Sequence, residues 1–101
     1  MYGLSLLHKA VLKSIDLVNL LLKNGAEPNI KDNTGATPLS LAAQAQKLDV
    51  VRVLYQHGCD IFHKDNSGKR PIDWILPVPL FEEFISELKT AHGEEFIHKL
   101  K

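Results

Sequence analysis

The sequence predicts an all-α dominated fold: a solenoid of stacked helix-turn-helix units with β-turn hairpin tips and a carboxyl-terminal capping helix. Three observations carry that prediction. The first is an internal repeat, because Asp32 to Ala42 reads DNTGATPLSLA and returns 33 residues later, at Asp65 to Ile75, as DNSGKRPIDWI. Asp16, Leu17, Val18, Leu20, Leu21 and Gly25 likewise return as Asp49, Val50, Val51, Val53, Leu54 and Gly58. Such a period marks a stacked architecture in which each unit covers the apolar face of its neighbour. The second observation is that helix start and stop signals fall at matching places. Thr37 and Pro38 form an N-cap and first helical position, and Gly25 and Gly58 stand where a helix must end in a left-handed residue. The third is an apolar stripe beyond the last copy, Leu80, Phe81, Phe84, Ile85 and Leu88, with Glu82, Glu83, Glu87 and Lys89 opposite.

Taken in order, the first copy starts almost at once, with Gly3 matching Gly35. No polar capping unit precedes it in this sequence, so Leu4, Leu12 and Leu20 are expected at or near an outer face. Its inter-helix loop, Lys13 to Ile15, is one residue shorter than that of the second copy, a difference to be absorbed locally. Asp32-Asn33-Thr34-Gly35 and Asp65-Asn66-Ser67-Gly68 have the composition of tight turns and should be projecting tips. In the second copy the first helix should run from Pro38 to about Gln46. The second should start near Asp49, whose charge suits the positive end of a helix, and end at Gly58. The third copy degenerates after Ile75, where Leu76-Pro77-Val78-Pro79 breaks the helix. The uncharged run from Trp74 to Phe81 reads as a buried inter-helix turn, being far too short to span a bilayer. Gly93 should interrupt the capping helix, leaving Glu94 to Lys101 as a short final helix anchored by Phe96, Ile97 and Leu100. Residues 1–101 are read as a single domain with units of about 1–31, 32–64 and 65–101.

Twelve basic residues balance twelve acidic ones, which gives no net pull toward nucleic acid or anionic lipid, and neither is read as a partner. The lone Cys59 can form no internal disulfide, and no charged n-region with a long apolar core is present. An intracellular location, cytoplasm or nucleus, is therefore expected, an exported effector being the alternative. His57, Cys59 and His63 lie close in sequence, but zinc needs a second ligand pair that does not recur. Cys59 matches Ala26 in the first copy, a small buried position that yields an unactivated thiol. Glu82-Glu83 and Glu94-Glu95 are adjacent on helices and point apart. No phosphate-binding loop is present. No enzyme, metal or cofactor is read from these residues.

Thr37-Pro38-Leu39-Ser40-Leu41-Ala42 resembles the Thr-Pro-Leu-His-x-Ala signature of the ankyrin repeat. Ser5-Leu6-Leu7-His8-Lys9-Ala10 keeps its histidine and alanine, and Arg70-Pro71-Ile72-Asp73 keeps its proline. The resemblance covers two clear repeats plus a degenerate third. It implies a non-catalytic protein-protein interaction module that binds a protein or peptide on a concave face of tips and first helices. Carried onto this chain, that face would comprise Asn33, Thr34, Ala36, Asn66, Ser67 and Lys69 at the tips, with Lys13, Gln44 and Ala45 near the helix ends. His8 would hydrogen-bond within and between hairpins. Asn29, in Leu21 to Asn29, resembles sites of asparaginyl hydroxylation in such repeats, although Pro28 departs from the usual aliphatic neighbour; a hairpin-stabilising role is the simpler reading. The alternative function is a terminal assembly segment of a longer array, or a self-associating scaffold, using the amino-terminal face.

Overall fold

A computed structural model of the chain describes residues 5–100; Leu4 lies outside them. Helix α1 (Leu6–Val11) and helix α2 (Ile15–Lys23) form the first unit, α3 (Pro38–Gln44) and α4 (Leu48–Gln56) the second, and α5 (Pro71–Ile75) begins the third. A 3-10 turn (Pro79–Phe81) leads into α6 (Glu82–Leu100), which is broken at Gly93. The described residues contain helices and turns and no strand.

Each first helix starts as its sequence dictates. Ser5 accepts the His8 N–H, Thr37 accepts the Ser40 N–H ahead of Pro38, and Asp73 reaches back to the Arg70 N–H ahead of Pro71. The capped ends line up so that α1 packs on α3 and α3 on α5, while α2 packs on α4. Leu7, Ala10, Val11 and Val18 of the first unit are buried with Leu39, Ala42, Val51 and Leu54 of the second and Ile72 and Ile75 of the third. Ala10, Ala42 and Ala43 are essentially inaccessible; larger side chains there would push the helices apart.

The one-residue difference between the first two units is taken up at the end of the first helix. Both inter-helix loops have three residues, Leu12 to Ser14 and Ala45 to Lys47, and α1 is one residue shorter than α3. Helix α3 ends at Gln44, two residues before the expected boundary. Gln46 turns left-handed at φ 58°, and its N–H and that of Lys47 fold back on Ala43 and Ala42. The stop is thus a local backbone reversal at a residue that is not glycine.

The capping helix covers the second and third units. Phe81, Phe84, Ile85 and Leu88 are buried, but Leu80 is half exposed, so the stripe starts one residue later than its spacing implied. Tyr55 of α4 meets Phe84 edge to face, and Arg52 forms a two-pronged pair with Glu87 at 2.6 and 2.9 Å. The segment from Trp74 to Phe81 carries the chain from the end of α5 through the 3-10 turn and is buried only in part: Trp74, Leu76 and Leu80 are 36, 41 and 50% exposed. Ile75 and Phe81 anchor its ends in the core. The chain between those anchors runs in tight turns, with the Val78 N–H on the Ile75 carbonyl and the Phe81 N–H on the Val78 carbonyl, so Val78 packs against the core while Trp74, Leu76 and Leu80 face outward.

Beyond Gly93 (φ 56°, ψ −133°) the tail turns back on the stack. Phe96 is buried against Phe62, and Leu100 is partly buried against the core. Ile97 is 46% exposed and is not an anchor. Arg70 donates to the carbonyls of Lys99 and Leu100 at 2.9 and 3.4 Å, satisfying groups that a helix end leaves open.

Candidate functional site

The tips are small, internally braced platforms. At the first, Asp32 Oδ1 accepts the N–H groups of Thr34 and Ala36 and the Thr34 hydroxyl, between 2.7 and 3.0 Å. The second is the same device 33 residues on, with Asp65 accepting the N–H groups of Ser67 and Lys69 at 2.8 and 3.0 Å. Backbone bonds close both turns, from Asp32 to Ala36 and from Asp65 to Lys69. Partial burial opposes ionisation of Asp32, but the hydrogen bonds from Thr34 and Ala36 outweigh it and hold the carboxyl below its usual range.

Adjacent tips are also tied to each other. The Asn66 N–H donates to the Thr34 carbonyl at 2.8 Å, and its side-chain amide donates to the Asn33 carbonyl at 3.1 Å. Deeper in the stack, His8 Nδ1 accepts the Ser5 N–H at 3.3 Å, which leaves Nε2 to donate to the Ala36 carbonyl of the next unit at 2.8 Å. His8 is fully buried and bonds both within its own hairpin and across to the next. The loops after the second helices carry a third link. Asn29 donates to the Gly58 carbonyl at 3.2 Å and accepts the Asp60 N–H at 2.8 Å. The Cys59 thiol donates to the Pro28 carbonyl.

Against this geometry the proposed contact residues divide. Asn33, Thr34, Ser67 and Lys69 are exposed on the tips, and Lys13, Gln44 and Ala45 are exposed at the opposite ends of the first helices. Ala36 is a correction: it is 5% exposed, because the hairpin folds its methyl inward while its carbonyl serves His8. Asn66 is exposed, but its amide is engaged with Asn33 and acts as a brace between tips. Residue exposure within a repeat is not legible from one sequence, whereas the Asp-anchored turn is.

The cysteine and histidines do not converge. Cys59 is buried, and burial, followed by the charge of Glu27, pushes its thiol up to about 12, so no thiolate nucleophile is available at neutral pH. His57 turns Nδ1 to the Val53 carbonyl in its own helix. Among the described residues no group of three or more His, Cys, Asp or Glu gathers as a metal ion would require.

Three consecutive units built on this plan, with capped first helices, braced tips and a histidine joining neighbours, match the family model of ankyrin repeats (3 copies) over residues 2–75. The chain belongs to the ankyrin repeat family. Ankyrin repeats are generally protein-protein interaction modules and are typically non-catalytic. The match stops where α5 ends, and the proline-containing turn, the capping helix and the tail lie beyond the matched residues. No curated protein matches the chain. Among the described residues no helix is long and apolar enough to cross a membrane.

Proposed function

We propose that the chain binds a partner protein or peptide through the concave face made by its hairpin tips and first helices, with Asn33, Thr34, Ser67 and Lys69 as the principal contacts. Lys13, Gln44 and Ala45 extend that face along the helix ends. The observation that carries this reading is the contrast between rigid tip backbones and exposed tip side chains: each turn is fixed by one aspartate, so its neighbours project into solvent at little further entropic cost. Asn66 and Ala36 support the face from within, and Asn29 serves to brace one loop on the next. The whole chain is read as one domain, in the cytoplasm or nucleus.

Partners recovered by pull-down would be titrated against a variant with Asn33, Ser67 and Lys69 replaced by alanine and Thr34 by serine, which keeps the hydroxyl bonded to Asp32. Binding should weaken about tenfold or more, while stability changes by about 0.5 kcal/mol or less, as for surface positions without packing contacts. Undiminished binding would place the interface elsewhere.

A second reading, a terminal assembly segment or self-associating scaffold, is favoured by the leucines of the first unit. Leu6, Leu12, Leu17 and Leu20 are 70, 52, 39 and 55% exposed, whereas Val50, the counterpart of Leu17 one repeat on, is 5% exposed. Sedimentation should then show association that rises with concentration and is relieved by Leu12→Lys with Leu20→Glu. Both side chains already stand in solvent, so the double variant should stay folded. A strict monomer at high concentration would remove this reading.

A further inference from the structure

Where the tail folds back, it closes a cleft of about 180 Å³ against the loop that follows α4. Tyr55, Phe62 and Phe96 supply aromatic walls, and Asp60 and Glu95 bring carboxylates to the same cleft. The face of an aromatic ring is electronegative and attracts cations. The cleft already holds one: Lys99 Nζ stands 5.5 Å from the centre of the Phe62 ring. We propose that this cleft is a binding site for an alkylammonium group, the side chain of a lysine on a partner peptide, and that Lys99 occupies it as an internal stand-in in the free protein.

Two cations lie near Phe62, and they are held very differently. Arg70, 6.0 Å from the ring centre, is fixed by Asp73 and by the two terminal carbonyls of the tail, so it is part of the frame. Lys99 has Glu95 at 3.4 Å, one helical turn away, and both side chains are more than half exposed. A surface pair of that kind is weak, so Lys99 can swing into solvent. Arg70 is neutralised by Asp73. Withdrawal of Lys99 therefore leaves Asp60 and Glu95 uncompensated beside the aromatic walls, a charge balance that favours an incoming cation and disfavours an anion. The size of the cleft suits a compact ammonium head on its last methylenes, which is what Lys99 already places there. Tyr55, Asp60 and Phe62 lie within the matched repeats and Glu95, Phe96 and Lys99 beyond them, so the cleft exists only where the tail meets the stack.

The test uses the full chain and two probes, Nα-acetyl-lysine methylamide and its neutral Nε-acetyl analogue, followed by NMR of the Tyr55, Phe62 and Phe96 ring protons. The lysine probe should give saturable shifts on all three rings and the neutral analogue none. Lys99→Met, which keeps the apolar stem and removes the competing charge, should tighten the lysine probe by about threefold, the scale of an exposed cation–π contact. Glu95→Gln in the Lys99→Met background should reverse that gain, and Phe62→Leu should abolish saturation. If Phe62→Leu undocks the tail, the Lys99 and Glu95 variants still decide. Equal shifts with the neutral analogue, or no tightening by Lys99→Met, would overturn the assignment.

Discussion

A chain ending after Leu76 is expected to lose cooperative folding. The cut removes Phe81, Phe84, Ile85, Leu88 and Phe96, all buried, and uncovers Leu54, Ile61, Ile72 and Ile75, which share their cluster. Truncating a single buried phenylalanine to alanine costs about 3–5 kcal/mol, and a whole domain has about 5–15 kcal/mol to lose. Losing several such anchors together exceeds that margin. The ankyrin portion alone should therefore give a broad thermal transition by circular dichroism, bind a hydrophobic dye and aggregate. A sharp transition at the parental temperature would show that the repeats close their own core and that the capping helix is an ornament.

The second large effect is expected from Gly35→Ala, judged against Gly68→Ala. Both glycines close a tip with positive φ, 78° and 81°, where an alanine is strained by about 1–2 kcal/mol. Only Gly35 is also crowded. A Cβ there would lie 2.8 Å from Asn66 Oδ1 and 3.1 Å from the Asn66 nitrogen, the group that ties the second tip to the first, whereas a Cβ on Gly68 meets nothing within 4 Å. Gly68→Ala should cost about 1–2 kcal/mol and Gly35→Ala about 1–2 kcal/mol more, since it also breaks hydrogen bonds between tips. Urea unfolding of the two variants gives the difference directly. Equal costs would mean that the tips stand independently.

The repeat core was legible because its determinants are local. Thr37 and Pro38 start α3 in the sequence and in the fold, Gly25 and Gly58 take the left-handed conformation after α2 and α4, and the 33-residue return of Asp32 as Asp65 carries an identical turn with it. Other features depend on a neighbour that no local pattern specifies. The uncharged composition of Trp74 to Phe81 suggests burial throughout, but only Ile75, Val78 and Phe81 reach the core, and composition does not say which side chains of a tight turn face it. The ankyrin resemblance carries Ala36 onto the contact face with the other tip residues, whereas the hairpin closing on Asp32 leaves it buried. The cleft at the tail was invisible for a similar reason, since Phe62 and Lys99 meet only after the chain reverses at Gly93. One signal was present in the sequence all the same. Phe62 stands where the first unit has Asn29, and it exchanges a hydrogen-bonding brace for a ring that packs on Phe96.

The links that join successive units share a property with mechanical consequences. His8 to Ala36, Asn29 to Gly58 and Asp60, Asn66 to Asn33, Arg52 to Glu87, and Tyr55 to His92 connect residues between 28 and 37 positions apart. Among the described residues each of these clasps joins a unit to its immediate successor, and none of them reaches across two. Search during folding is confined to short loops, which favours fast formation of neighbouring pairs over slow closure of the whole. Under tension the same arrangement has no transverse seam to shear: a pull on the two ends would open the clasps in sequence, like a zip drawn from one end, and relaxation would let them close again from whichever pair survived.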